Sequence, residues 1–350
     1  MSTSLEKKGM PYIRLGNSGL KVSKIILGCM SFGTPDTEKW LMPEGESLKL
    51  IKAAYDAGIN TFDTANVYSF GQSEVILGKA IKEFNIPREE IVIMTKVYLP
   101  MTRPALFALL NGENPDDIGS ANQYGLSRKH IFDSVKASLK RLQLDYVDVL
   151  QCHRFDKNTP IEETMQALHD VVKAGYVRYI GMSSCWAWQF HAMQNYAIAN
   201  KLTPFISMQN HYSLLYREEE REMFPTLKHF GVGSIPWSPL ARGILARPAH
   251  VKTKRGETDR QISRLAPIEA DETNVIIERV QEIANKKDIS MAQVALAWIM
   301  AKDAVAAPIV GTSSMDNLKD IIKSVQVTLT DEEVRYLEEP YRPRNIIGHS

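Results

Sequence analysis

An alternation runs the length of the chain and constrains the fold more than any single residue does. Eight short apolar runs, at residues 25–29, 59–63, 91–96, 147–151, 179–182, 206–209, 233–237 and 307–310, are separated by longer segments of helical pattern. Runs this short and this continuously apolar suit strands buried on both faces, the condition of a parallel sheet covered by helices. Eight strand-then-helix units point to an α/β fold, a (β/α)8 TIM barrel. A doubly wound sheet would carry G-x-G-x-x-G after its first strand. Leu27-Gly28-Cys29-Met30-Ser31-Phe32-Gly33 lacks that spacing, and Gly231-Val232-Gly233 precedes a strand instead of opening a helix. Ahead of the first unit, residues 13–15 and 20–22 flank Gly16-Asn17-Ser18-Gly19 and predict an N-terminal β-hairpin. No second domain is visible, so residues 1–350 read as a single barrel domain with a core from about residue 10 to residue 340.

Helix starts are legible. Thr159-Pro160-Ile161-Glu162 reads as a capping box with proline at the first helical position. Ser290-Met291-Ala292-Gln293 and Thr330-Asp331-Glu332-Glu333 take the same form. Two connections, 98–125 and 242–267, exceed ordinary loop length and follow predicted strands. They belong at the catalytic face of a barrel, where they can cover a substrate. The tail after Pro340 carries too little apolar surface to fold alone.

Four residues at the predicted strand ends carry chemistry. Asp63, Lys96 and His153 close the second, third and fourth runs, and Tyr68 lies in the loop five residues past Asp63. Strand ends far apart in sequence converge at one mouth of a barrel. Tyrosine, with a reference pKa of ~10, is a poor acid at neutral pH. A neighbouring Lys96 ammonium would stabilise the phenolate and lower that value, and Asp63 would keep the lysine charged. His153 could hydrogen-bond a substrate oxygen. Together they can protonate a developing alkoxide.

Composition removes several alternatives. With 42 Lys and Arg against 41 Asp and Glu, the net charge of +1 gives no global field toward nucleic acid or an acidic membrane. The basic run Lys252-Thr253-Lys254-Arg255 is short and reads as a solvated or phosphate-facing loop. Three cysteines, Cys29, Cys152 and Cys185, are too few for a disulfide scaffold and read as buried thiols in a reducing compartment. No CxxC or HExxH offers a metal site. With no signal-peptide pattern and no membrane-length apolar run, a cytoplasmic location is expected.

The run from Gly58 to Gly78, with Asp63, Tyr68 and Glu74 in it, resembles the signature of the aldo-keto reductases. So do Met94-Thr95-Lys96, the run from Asp145 to His153, the run from Tyr179 to Ser184, and Trp237-Ser238-Pro239-Leu240. The stretches around Trp186, Gln209 and Tyr216 resemble a fungal branch related to aryl-alcohol dehydrogenases and versiconal hemiacetal acetate reductases. The resemblance implies an oxidoreductase in which Tyr68 is the proton donor, Lys96 and Asp63 tune it, and His153 orients the carbonyl. It implies NADP(H) bound extended across the barrel mouth. Ser183, Ser184 and Gln209 match positions that hold the nicotinamide carboxamide, Trp237 the aromatic that stacks on its ring, and Ser238, Leu240 and Arg242 the pyrophosphate cradle. Gly311, Thr312, Ser313 and Asn317 match the adenosine phosphate region. Ser184 stands where many relatives carry Asn, and no Lys or Arg lies near Gly311 or Asn317 to grip a 2′-phosphate, so NAD(H) stays open beside NADP(H). Thr312-Ser313-Ser314 also reads as a plain helix cap.

A pocket of Met30, Phe32, Tyr98 and Trp186 with the two long loops would suit an apolar or aromatic carbonyl compound. The expected partner is a small-molecule carbonyl substrate, with no nucleic acid, membrane or obligatory protein. The alternative implied by the resemblance is a nucleotide-binding regulatory subunit like the β subunits of potassium channels. A metal-dependent barrel hydrolase would need ligands on several strand ends, and only His153 and His211 lie near such ends.

Overall fold

The structure is a computed structural model that describes residues 9–35, 38–251 and 271–349. The run Lys252 to Arg255 and most of the 242–267 connection lie outside the described residues. The predicted hairpin is present as β1 (Tyr12–Arg14) and β2 (Lys21–Ser23), paired antiparallel. Eight parallel strands follow: β3 (Ile26–Gly28), β4 (Thr61–Asp63), β5 (Val92–Val97), β6 (Val147–Cys152), β7 (Val177–Ser183), β8 (Phe205–Gln209), β9 (Gly233–Ser234) and β10 (Ile309–Val310). Their order is β10-β3-β4-β5-β6-β7-β8-β9. Parallel bridges between Ser234 and Val305 and between Trp237 and Ile309 close the seam, which makes the sheet a barrel.

Each predicted run overlaps its strand, with β5 to β8 extending one or more residues beyond the predicted bounds, and the last two strands are only two residues long. Pro236 and Pro308 explain this, since neither can donate to the ladder. Both still accept, Pro236 O from Ile309 N across the seam (2.8 Å) and Pro308 O from Ile26 N of β3 (3.0 Å).

The hairpin plugs the N-terminal end of the barrel. Leu15 and Val22 pack with Ile26, Val92, Met94, Val149, Ile235 and Ile309 in an interior cluster. Gly16 has φ +57°, and a Cβ there would lie 2.5 Å from Gly231 O, so no other residue fits against the start of β9. The opposite mouth is left for the loops that leave the strand C-termini.

Helices α1 (Glu44–Asp56), α2 (Gln72–Glu83), α3 (Arg103–Leu110), α4 (Arg128–Leu142), α5 (Ile161–Lys173), α6 (Ala187–Ala199) and α7 (Met223–Phe230) are joined by α8 (Asp271–Lys287), α9 (Met291–Met300), α10 (Met315–Lys323) and α11 (Asp331–Glu338). Ser290 caps α9 by accepting from Gln293 N (3.1 Å), and Thr330 with Glu333 forms a reciprocal capping box on α11. The expected box at Thr159 is not formed. Pro160 itself is the N-cap of α5, and the Thr159 hydroxyl donates instead to Asp156 Oδ2 (2.7 Å). That carboxylate also accepts from Leu126 N (2.7 Å) and Asn158 N (2.9 Å), and its charge makes it the stronger acceptor.

The connection 98–125 is closed at its base by a hydrogen bond from Gly125 N to Tyr98 O (2.8 Å) and contains α3. The tail is held by polar contacts. Tyr341 Oη donates to Glu218 (2.7 Å), Arg344 N donates to the same oxygen (2.8 Å), and Ile347 N donates to Tyr216 Oη (3.0 Å). Among the described residues no helix is long and apolar enough to cross a membrane.

Candidate active site

Three strand ends and one turn bring Asp63, Lys96, His153 and Tyr68 together. Asp63 ends β4, Lys96 lies near the end of β5, and His153 follows β6 with its N–H donated to Val97 O (2.8 Å). Tyr68 opens a 3-10 turn, Tyr68–Gly71, in which Ser69 and Phe70 take left-handed φ of 49° and 52°. Ser69 Oγ ties that turn to Phe32 O (2.9 Å). Strained backbone of this kind persists only where its surroundings hold it.

Lys96 Nζ is the hub. It donates to Asp63 Oδ2 (2.6 Å), Thr64 O (2.9 Å) and Tyr68 Oη (3.2 Å), which uses all three ammonium hydrogens. The other Asp63 oxygen accepts from Gln151 Nε2 (2.9 Å) and Gln209 Nε2 (2.8 Å), and Gln209 Nε2 also reaches Gln151 Oε1 (2.8 Å). The buried charge pair therefore has every strong acceptor and donor matched, as a stable buried pair requires. Beneath it, Thr95 points to the other face of β5 and donates to Glu74 Oε1 (2.6 Å). Arg141 Nε binds the second Glu74 oxygen (2.6 Å), which anchors α2 behind the site. Gly78 lets α2 meet α4, since a Cβ there would lie 2.3 Å from Leu142 O.

His153 lies edge-on to Tyr68, ring centroids 5.9 Å apart at 84°. Burial holds the imidazole well below its usual pKa, and the charges of Arg154 and Lys96 push it the same way, so it is neutral at physiological pH. Its Nδ1 is buried without a partner. The Tyr68 phenol departs from expectation. Burial raises its pKa and outweighs the lowering by Lys96, so the phenol is a protonated donor at physiological pH. Burial works to lower the Lys96 ammonium, but Asp63 and Tyr68 raise it on balance, so it stays charged. A protonated phenol, a fixed cation and a neutral imidazole can together hydrogen-bond and protonate a carbonyl oxygen.

Residues 24–342 match the aldo/keto reductase family. The chain belongs to the aldo/keto reductase family.

It is similar to a versiconal hemiacetal acetate reductase of Aspergillus parasiticus, 52% identical, with 96% of this chain and 98% of the relative covered. It is also similar to a protein named as an aryl-alcohol dehydrogenase in Schizosaccharomyces pombe (50%, covering 95% and 96%) and to an aldo-keto reductase of Alternaria alternata (48%, covering 97% and 94%). Family membership makes this aldo/keto reductase an oxidoreductase, and carbonyl reduction is the reaction that the family and these relatives support.

The remaining positions expected to meet a cofactor fall in two groups. Near the tetrad, Ser183 Oγ donates to Gln209 O (2.8 Å), and Trp237 Nε1 donates to Ser184 Oγ (3.0 Å). The Gln209 amide is turned down to Asp63. Trp237 stacks on His211 (4.2 Å, 11°), which stacks in turn on Tyr216 (4.4 Å, 13°), a three-ring column. Burial lowers His211 to about 3, which keeps the middle ring neutral. The second group follows β9 and β10. Ser238, Ala241, Arg242 and Gly243 have φ of 54°, 46°, 57° and 95°, a run of left-handed backbone that includes the expected pyrophosphate residues around Leu240. Gly311 and Ser313 are exposed, and Thr312 Oγ1 accepts from Ser314 N (3.1 Å). Ser314, not Thr312 or Ser313, caps α10 by accepting from Asn317 N (3.4 Å).

The expected pocket residues divide as well. Met30 and Tyr98 are half-buried and Trp186 is 41% exposed, with His349 edge-on to it at 4.9 Å. Phe32 is fully buried in the apolar core and presents no surface to a ligand. All three cysteines are buried, and burial raises their thiols, so they stay protonated. Among the described residues no group of three or more His, Cys, Asp or Glu could hold a metal ion.

Gln151 lies beside the tetrad without having been singled out by pattern, and His211, noted before only as a histidine near a strand end, stacks under Trp237. Gln151 had one signal: it lies two residues before His153 and so shares its face of the strand.

Proposed function

We propose that this aldo/keto reductase reduces aldehydes or ketones, aromatic or apolar ones above all, to alcohols with NADP(H), and that Tyr68 is the proton donor. The observation that carries this reading is the Lys96 Nζ contact to Tyr68 Oη at 3.2 Å, with Asp63 behind it and His153 beside it. The carbonyl oxygen accepts hydrogen bonds from Tyr68 and His153. Tyr68 gives up its proton as charge develops on that oxygen, and Lys96 holds the resulting phenolate. Reduced nicotinamide, when bound, supplies the hydride that converts the carbonyl carbon to the alcohol carbon.

The chain's residues fit such a cofactor. The column Tyr216–His211–Trp237 ends in a partly exposed aromatic face suited to a further flat ring. Left-handed residues at 238, 241, 242 and 243 turn this backbone as phosphate-binding loops do. Ser184 would hold the carboxamide, and Arg242 with the α10 N-terminus would meet the phosphates. The aryl alcohol in one relative's name agrees with the aromatic walls that Tyr98 and Trp186 would give the pocket.

The test follows the oxidation of NADPH at 340 nm, with NADH in parallel, against aromatic and aliphatic aldehydes, with Tyr68→Phe beside the wild type. Turnover that depends on Tyr68 is the expected result. Tight nucleotide binding with no turnover of any carbonyl compound would shift the assignment to a binding subunit.

A further inference from the structure

Among the described residues Arg154, at the edge of the catalytic group, has no counter-ion. It follows His153 directly, and its Nη1 donates to His153 O (2.5 Å). Among the described residues neither Nε nor Nη2 has a hydrogen-bond partner, and both keep some accessible surface. Several other buried or half-buried cations around the barrel have carboxylate partners: Lys96 with Asp63, Arg141 with Glu74, Arg88 with Asp148, and Arg217 with Glu220 and Glu338. The carboxylate nearest in sequence, Asp156, is taken up by Leu126 N, Asn158 N and Thr159 Oγ1.

Resting on the reductase reading, we infer that Arg154 is a specificity-determining residue that binds a substrate carboxylate close to the reacting carbonyl, so that aromatic 2-oxo acids are favoured. An enclosed guanidinium with unused N–H groups is the donor that best matches a carboxylate. Within the tetrad the Lys96 and Asp63 charges cancel, so Arg154 leaves the mouth with a local positive charge that an anionic substrate would balance. Burial raises Tyr68 and Tyr98 and lowers His153, and the Arg154 charge acts downward on all three, which puts it within electrostatic reach of the proton donor. The aromatic side chains Tyr98 and Trp186 would take the rest of such a substrate.

The test compares phenylglyoxylate with its methyl ester, an acid and a neutral ester of the same skeleton, in the wild type, Arg154→Met and Arg154→Lys. The expected result is a higher kcat/KM for the acid in the wild type. Arg154→Met should lose about tenfold to a hundredfold on the acid, chiefly through KM, and much less on the ester. Arg154→Lys should recover part of the loss, and it also serves if Arg154→Met does not fold. Equal losses on acid and ester would overturn the inference, because a guanidinium that only tunes Tyr68 acts on every substrate alike. Reduction of benzaldehyde with no preference for the acid would also overturn it while leaving the reductase reading intact. Failure to reduce any carbonyl compound would overturn both.

Discussion

Lys96 Nζ and Asp63 Oδ2 stand 2.6 Å apart, with 0% and 2% of their side chains exposed. A pair this deep cannot lose one member cheaply. Lys96→Met would leave the Asp63 carboxylate with two amides and no cation, a cost of about 3–5 kcal/mol. Urea denaturation should show this loss, and Asp63→Asn combined with Lys96→Met should recover a large part of it. A single variant as stable as the wild type would mean that the pair is not buried in solution.

Tyr68→Phe removes the proposed proton donor and one acceptor of the Lys96 ammonium. Turnover should fall by about 10²–10⁴. Nucleotide binding, read by quenching of Trp237 fluorescence, should hold within a few-fold, since the phenol is not expected to touch the cofactor's phosphates. Near-wild-type turnover would remove Tyr68 from the chemistry.

Stability should fall in mild acid, and the sign is fixed by two histidines. Burial depresses His153 well below its ordinary value and His211 to about 3. An unfolded chain protonates both near pH 6.5, so the unfolded state binds more protons as the pH drops. The stabilisation is therefore complete above about pH 6.5 and declines below it, by about 1.4 kcal/mol per pH unit for each ring. Denaturation midpoints at pH 7.5 and 5.5 measure the slope, and His211→Phe should shallow it. An unchanged slope in that variant would rule out His211 as a source.

Gly78→Val tests the α2–α4 contact. A Cβ 2.3 Å from Leu142 O must push the helices apart, at a cost of about 1–3 kcal/mol. Because α2 carries Glu74, which accepts from Thr95 beside Lys96, activity should fall along with stability. A thermal midpoint equal to the wild type would show that the helices yield freely.

Much of this arrangement is legible in the chain. Apolar runs ending in Asp63 and Lys96 mark strand ends, and barrel topology then brings them to one mouth. The fold, the hairpin and the approach of Tyr68 to Lys96 follow from that pattern. Other parts depend on neighbours that no local pattern names. Gln151 and Gln209 look like polar interruptions of apolar strands until a third strand supplies Asp63. The direction of the Tyr68 shift turns on how completely it is buried, which residue types do not reveal. Thr159 has the form of a cap but is captured by Asp156. The polar tail carries no apolar code for its place, which is set by polar contacts to Tyr216, Glu218 and Glu219.

The unequal strand lengths have a mechanical consequence. Lys96 and His153 belong to the arc of the barrel that contains its long strands, β5, β6 and β7, of six, six and seven residues, and Asp63, on the neighbouring three-residue β4, is held to Lys96. The positions expected to grip nucleotide follow β9 and β10, two residues each, across a seam stitched by isolated bridges. Stiffness is thus graded around the ring. Breathing should concentrate at the seam, where it would admit and release the proposed dinucleotide, while the proton-transfer geometry opposite stays in register. Amide hydrogen exchange that is fast at 305–310 and slow at 92–97 would be the signature of such a hinge built into the circumference of the barrel.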